Sequence, residues 1–268
     1  MKTIIFLIIL FTVLSLSSFA QAPVLIDRFS KEISTEDLLG RLNFLTDQLF
    51  KKENSNALIK VYGSTEDLQG FPYRSAAKMK IHLTNNKIDE KRIFTQQCDS
   101  EKEIRFEIYL ISPNAEIPDC RKSLIVPEKT LRFDSYNYSF EYPDLDDCCL
   151  ILGSDRASAE ASLKAFAELL KKSPESSAYI ISYNGTNIHW INSKTIRILD
   201  SPALGRATAK GAKETLIQNG VNASRIVTVN GGYKDSTRNI ELWIVPKDGA
   251  IPKLTPDYFP KKKRKKKR

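Results

Sequence analysis

The sequence predicts an α+β fold: two tandem α/β sandwich units, each with helices packed on a small mixed sheet. Three observations carry this. The first is an internal repeat kept in order. "KKENSNALIKVYG" (51–63) matches "KKSPESSAYIISYNG" (171–185), "NNKIDEKRIF" (85–94) matches "QNGVNASRIV" (218–227), and "RFEIYLISPNAEIP" (105–118) matches "RNIELWIVPKDGAIP" (238–252). Pro113 pairs with Pro246 and Arg92 with Arg225, both 133 positions apart, while Ala57 and Ala178 are 121 apart. The second copy therefore carries about a dozen extra residues, in "TNIHWINSKTIRI". The second observation is the same alternation of helix and strand signals in both copies, with short connections, which implies helices packed on a sheet. The third is composition: 41% hydrophobic and 27% charged residues describe a globular chain rather than a disordered or membrane-embedded one.

The elements follow in order. "MKTIIFLIILFTVLSLSSFAQAPV" opens with Lys2, an apolar run from Ile4 to Leu16, and small residues before Gln21. A membrane-crossing helix needs about 20 apolar residues, so residues 1–20 read as a secretory signal cut after Ala20. The expected location is outside the cytosol: periplasm, cell envelope or extracellular. The first unit, 21–120, begins with a strand, "VLIDRF". A helix follows, in which Leu38, Leu42, Leu45 and Leu49 recur at helical spacing behind a Ser34/Asp37 capping pair. Then come the strand "ALIKVYG", a helix around 75–85, the strand "RIFTQ", and a last strand stopped by Pro113, which cannot donate a ladder hydrogen bond. The second unit, 121–252, repeats the plan. Its strand is "TLRFDSYNYSF", its first helix carries Leu163, Phe166, Leu169 and Leu170, and the rest ends at Pro246. "NGGYKD" (230–235) reads as a turn, and His189-Trp190 falls in the insertion, read as a loop. Residues 253–268 are a spacer with Pro256 and Pro260, extended in character, followed by Lys261–Arg268.

The net charge of +9 is local. Eight of the 41 Lys and Arg lie in Lys261–Arg268 and one at position 2, so the remainder balances the 32 Asp and Glu. The body has no basic excess, and no specific nucleic acid partner is expected. The tail has the composition of a nuclear localisation signal, but export removes it from the receptor that reads one. Its expected partner is an anionic polymer or membrane surface, held by charge density alone. Cys98, Cys120, Cys148 and Cys149 are disulfide candidates in an oxidising compartment. Three pairings are open; a bond between the adjacent Cys148 and Cys149 would be strained, so the reading favours distant partners for each. With His82 and His189 the only histidines and no CxxC, no metal and no cofactor are expected. GxSxG and HExxH are missing too, so the expected role is not enzymatic. Asn137, Asn184 and Asn222 each open an N-x-Ser/Thr sequon.

"LKAFAELLKKSPESSAYIISYNG", "LGRATAKGAKETLIQNGVNASRIVTVNGGY" and "STRNIELWIV" resemble the C-terminal domain of the outer membrane protein A (OmpA) family, a peptidoglycan-binding module. The first unit resembles it more loosely. The resemblance implies that an Asp and an Arg grip the diaminopimelate end of the peptidoglycan stem peptide, the guanidinium binding a carboxylate and the Asp an ammonium. Arg206 matches the family Arg. The family Asp follows the Gly-closed strand, where this chain has "NGTNIHW"; Asp200 lies nearer to Arg206 than the family spacing. Arg238 belongs to the family's Asn-Arg-Arg run, here reduced to Arg238-Asn239. In the first unit Glu66 or Asp67, and Arg74, stand nearest the same places, Arg74 aligning with Arg206 across a one-residue gap. The implied function is peptidoglycan association by an exported cell-envelope protein. The alternative is a secreted module of unknown ligand that has lost this site.

Overall fold

The structure, a computed structural model, describes residues 22–64, 68–101, 103–113, 115–117, 119–120, 124–137, 156–191, 194–235 and 238–258. The signal segment, Glu66, Asp67, Cys148, Cys149 and Lys261–Arg268 lie outside the described residues.

Each unit is one sheet with two helices. In the first, β1 (Val24–Ser30), α1 (Thr35–Lys51), β2 (Asn56–Ser64), α2 (Phe71–Asn85), β3 (Ile93–Glu101) and β4 (Arg105–Ile111) give the sheet order β1-β4-β2-β3. β2 is antiparallel to β4 and parallel to β3, so the sheet is mixed. The second has β5 (Leu131–Asn137), α3 (Arg156–Lys172), β6 (Ser177–Ile191), β7 (Lys194–Leu199), α4 (Pro202–Gln218), β8 (Ile226–Asp235) and β9 (Asn239–Val245). Its order β5-β9-β6-β8 repeats the first. The insertion is the difference: it lengthens β6 and adds β7, an antiparallel hairpin from Thr186↔Leu199 to Ile191↔Lys194. His189 and Trp190 therefore sit in a ladder, not in the expected loop.

The helical stripes become the cores. Leu38, Leu42, Leu45 and Leu49 are each at most 1% exposed beneath β2 and β4. Burial of each contributes roughly 1.5–3 kcal/mol. The Ser34 hydroxyl accepts the Asp37 N–H at 3.1 Å and caps α1. Leu163, Phe166, Leu169 and Leu170 serve the second core. Conserved backbone devices match position for position. Arg92 donates to the carbonyls of Leu49, Lys52 and Ser55; Arg225 donates to those of Leu170, Ser173 and Ser176. Each guanidinium thus satisfies the open carbonyls at the end of its unit's first helix. The second helices end alike, at Lys87 (φ 68°) and Gly220 (φ 87°).

Two details of the expected repeat are corrected. The last strands match one residue further along than Pro113 and Pro246 suggest. Ala57 faces Leu110 and Ala178 faces Ile244, which aligns Glu107 with Glu241, Tyr109 with Trp243, and Arg105 with Asn239 instead of Arg238. Pro246 directly follows Val245, whereas Ser112 separates Ile111 from Pro113. "NGGYKD" is strand, not turn. The register slips between Ser182↔Asn230 and Tyr183↔Gly232, a bulge at Gly231, where a Cβ would lie 2.5 Å from the Tyr183 ring.

The units meet through α2 and α3, the most extensive of the helix–helix contacts. Gly70 at the start of α2 donates its N–H to the Phe133 carbonyl at 2.9 Å. Beside it Arg74 reaches Asp134 of β5 with two nitrogens, each at 3.3 Å, and both side chains are buried. Cys98 and Cys120 form a disulfide, Cα to Cα 4.7 Å, tying the segment after β4 back to β3. This withdraws both from Cys148 and Cys149, contrary to the expected distant pairing.

Candidate functional site

The site forms where β6 closes and α4 begins. Ser201 caps α4, its hydroxyl accepting the Ala203 N–H at 3.3 Å, with Pro202 in the first turn. Asn184, 1% exposed at the end of the Gly-closed strand, fixes the helix to the sheet. Its Oδ1 accepts the Gly205 N–H at 3.1 Å and its Nδ2 donates to the Gly232 carbonyl at 3.3 Å. Helix and strand approach so closely that a Cβ on Gly205 would stand 2.7 Å from Asn184 Oδ1. Burial also removes Asn184 as an exposed sequon.

The hairpin brings an acid to the middle of β6. Because Thr186 pairs with Leu199, the chain leaves at Gly185 and returns at Asp200. The Asp200 N–H donates to the Gly185 carbonyl at 3.1 Å, and the Gly185 N–H donates to Asp200 Oδ2 at 2.9 Å. A carboxylate thus stands directly beside Gly185, although 15 residues separate the two in sequence. Arg238 Nε donates to the same Oδ2 at 2.9 Å, and the two side chains are 14% and 18% exposed. The Tyr233 hydroxyl donates to the Asp200 carbonyl at 3.2 Å. Arg206 projects from the first turns of α4, exposed, with no ion pair to a described residue.

Among the described residues the first unit has no such opening. Position 206 corresponds to Tyr73, and Arg74 to Ala207, since both second helices end in register at Asn86 and Asn219. Tyr73 packs against the core of the second unit. Arg74 is 2% exposed, stacked near Phe71 and Tyr136 and paired with Asp134. This corrects its assignment as a ligand residue: the partner unit covers that end of the helix.

Two pseudo-equivalent clusters decorate the opposite sheet faces. Glu107 accepts the hydroxyls of Tyr109 at 2.6 Å and Tyr62 at 3.0 Å and pairs with Arg28 at 2.8 Å. Arg105 lies 4.0 Å over the Tyr62 ring and pairs with Glu107 along its own strand. Burial raises the Tyr109 phenol to about 12, helped by its bond to Glu107. Burial opposes the Glu107 charge, but the two hydroxyls and the two arginines outweigh it and hold the carboxyl below its ordinary range. In the second unit Trp243 Nε1 donates to Glu241 at 2.9 Å and Arg132 pairs with Glu241. Tyr109 and Trp243 thus pack on the sheet face of their units.

Sequence reasoning missed Asn184, Gly205 and Tyr233. The alternating residues either side of Asn192-Ser193 were the available signal, since they spell a hairpin that returns the chain to Gly185. Among the described residues no group of three or more His, Cys, Asp or Glu is placed to hold a metal ion, and no helix is long and apolar enough to cross a membrane. The fold defines a two-unit α+β protein, and among the described residues its second unit sets a part-buried acid and guanidinium pair beside the start of α4. No family model, curated protein or solved structure matches the chain.

Proposed function

We propose that this is an exported, non-enzymatic cell-envelope protein whose second unit associates with peptidoglycan, with the polybasic tail adding electrostatic adhesion. The observation that carries the reading is Asp200 beside Gly185: the hairpin returns an acid to the middle of β6, next to the Gly after which the OmpA-like pattern needs one. Two of the roughly four lone-pair positions of its carboxylate are taken by Gly185 and Arg238. The others are available to a ligand ammonium. Arg238 offsets the Asp200 charge, so the exposed Arg206 supplies an excess cation for a ligand carboxylate, which a guanidinium binds bidentately. The Cys98–Cys120 disulfide fits an oxidising compartment and supports export.

One observation favours the second reading, a secreted binding module of unknown ligand. Arg238 already engages Asp200, which then serves the fold and not a ligand. A sacculus pull-down at about 0.15 M salt, where exposed charges are screened beyond about 8 Å, separates the two. The full mature chain is compared with a chain ending at Pro260 and with Arg206→Ala. Binding by the truncated chain that Arg206→Ala abolishes supports peptidoglycan recognition. Binding that vanishes with the tail and ignores Arg206 leaves the second reading.

A further inference from the structure

The two helices of the second unit leave a cleft of about 410 Å³ between them. Its floor is Ala159 and Leu163 of α3, Ala212 of α4, Tyr136 of β5 and Ile240 of β9, all buried. The repeat shows what would close it. In the register of the two units, Ala159 takes the place of Leu38, Ala212 of Met79, and Ile240 of Phe106. Those three larger side chains are at most 1% exposed and share one core, so the first unit packs the same space solid. Phe29 stacks there on Phe106 with ring centroids 5.1 Å apart. Tyr136, in the place of Phe29, meets Ile240 instead of a ring and lines the cleft. Cores are close-packed; three reductions at one spot, beneath helices that keep their leucines, open a space of the size that small-molecule sites have.

The rim changes in the opposite sense. Thr35, Leu39, Ala77 and Ile81 of the first unit correspond to Arg156, Glu160, Lys210 and Glu214, which border the cleft as one ion pair along each helix. Arg156 meets Glu160 at 3.1 Å and Lys210 meets Glu214 at 3.7 Å, with side chains 42% to 86% exposed. Exposed pairs of this kind are weakly held, so each can turn toward a guest. Thr208 and Thr215 on the wall donate their hydroxyls to the Leu204 and Gly211 carbonyls of their own helix, and what they offer a guest is apolar surface. We propose that the cleft binds the alkyl chain of a single-chain amphiphile whose head group is zwitterionic. The chain replaces the side chains that the second unit lacks on the floor. A head of one sign would find a partner on each wall but a like charge one turn away, whereas a zwitterion meets both signs. The site owes nothing to Asp200 or to the peptidoglycan reading.

The test titrates the full mature chain with dodecylphosphocholine, below the concentration at which it forms micelles, by isothermal titration calorimetry. Saturable binding of a single molecule is expected. The double variant Ala159→Leu, Ala212→Met restores the residues of the first unit; it should weaken binding by about tenfold or more while melting no lower than the native chain. Dodecanoate and dodecylammonium, which share the chain and carry one charge each, should bind more weakly than the phosphocholine. Glu160→Gln, Glu214→Gln alters only exposed side chains, so its folding is not at risk, and it leaves two cations on the rim. It should reverse the preference in favour of dodecanoate. Absence of saturable binding overturns the proposal, as does binding that the filled variant retains. Equal affinity for all three heads, or a preference that the rim variant leaves unchanged, overturns the zwitterionic assignment. A chain that sediments as a dimer, and as a monomer once Ala159→Leu and Ala212→Met are introduced, would give the cleft to a second copy and overturn the proposal as well.

Discussion

Asp134→Ala tests the joint between the two units, and the molecule supplies its own control. Asp27 and Asp134 occupy equivalent positions, each just after the bulge in the opening strand of its unit. Asp27 pairs with Arg41 of its own unit at 2.6 Å, with side chains 22% and 36% exposed. The residue equivalent to Arg41 is Ser162, which donates its hydroxyl to Asp134 at 2.6 Å. The guanidinium at Asp134 comes instead from Arg74 of the other unit, and the two side chains are 0% and 3% exposed. Removing one member of a buried pair leaves a desolvated charge and costs about 3–5 kcal/mol. An exposed pair contributes about 0.2–1 kcal/mol. Asp134→Ala should therefore destabilise by about 3 kcal/mol more than Asp27→Ala.

Urea unfolding followed by far-ultraviolet circular dichroism reads this difference. The midpoint for Asp134→Ala should fall by about 1 M or more, and that for Asp27→Ala by a few tenths. The double variant Arg74→Met, Asp134→Leu should recover much of the loss, because apolar replacement of a whole buried pair is often neutral. Equal midpoints for Asp27→Ala and Asp134→Ala would refute the reasoning, since burial would then decide nothing.

Three further outcomes are expected. Lys87→Gly should raise stability by about 0.5–1 kcal/mol in thermal melts, because Lys87 adopts φ 68° where the second unit has Gly220; a lower melting temperature would count against that backbone argument. Reducing Cys98–Cys120, which spans 22 positions, should cost about 3 kcal/mol on loop entropy, read as the melting shift between the native chain and a Cys98→Ser, Cys120→Ser variant. Spectrophotometric titration should assign to Tyr109 a phenol ionising near 12, identified by its disappearance in Tyr109→Phe. Its folded value lies above the unfolded value of about 10, so its stabilisation is complete below pH 10 and is lost as pH rises toward 12. Ionisation of Tyr109 near pH 10 would remove the basis for the Glu107 cluster.

Local signals made most of the architecture legible. Leucines at helical spacing, Ser34 before Asp37, and a Pro after each last strand act over a few residues, and the repeat showed the apolar stripe and the Pro twice. What escaped was set at a distance. Nothing near Arg74 marks it as the partner of Asp134, 60 residues away in the other unit; its alignment with Arg206 depended on a gap that the helix ends do not contain. "NGGYKD" has turn composition, yet its glycines serve a bulge, because the ring of Tyr183 occupies the space of a Gly231 side chain. The candidate acid was half legible. Asp200 was picked out by its chemistry and questioned for standing so near Arg206; that interval is unchanged, but the hairpin of β6 and β7 brings Asp200 beside Gly185, which no local signal showed.

Divergence of the two units follows from how they are joined. An end-to-end pair of identical units would bury the same surface of one copy and leave it open on the other. Here the start of α2 is the buried end: a Cβ on Gly70 would stand 2.8 Å from the Asp134 carboxylate; Tyr73 packs on the second core, and Arg74 is spent on an ion pair. At the corresponding start of α4 the chain keeps Arg206 exposed, fixes the helix through Asn184 and Gly205, and adds a hairpin that brings Asp200 alongside. Ser162 is the enabling residue, since an arginine there, as at position 41, would fill the space into which Arg74 reaches. The start of the second helix is therefore covered in the first unit and open in the second. The absence of an exposed arginine at that end of the first unit is then a consequence of the joint.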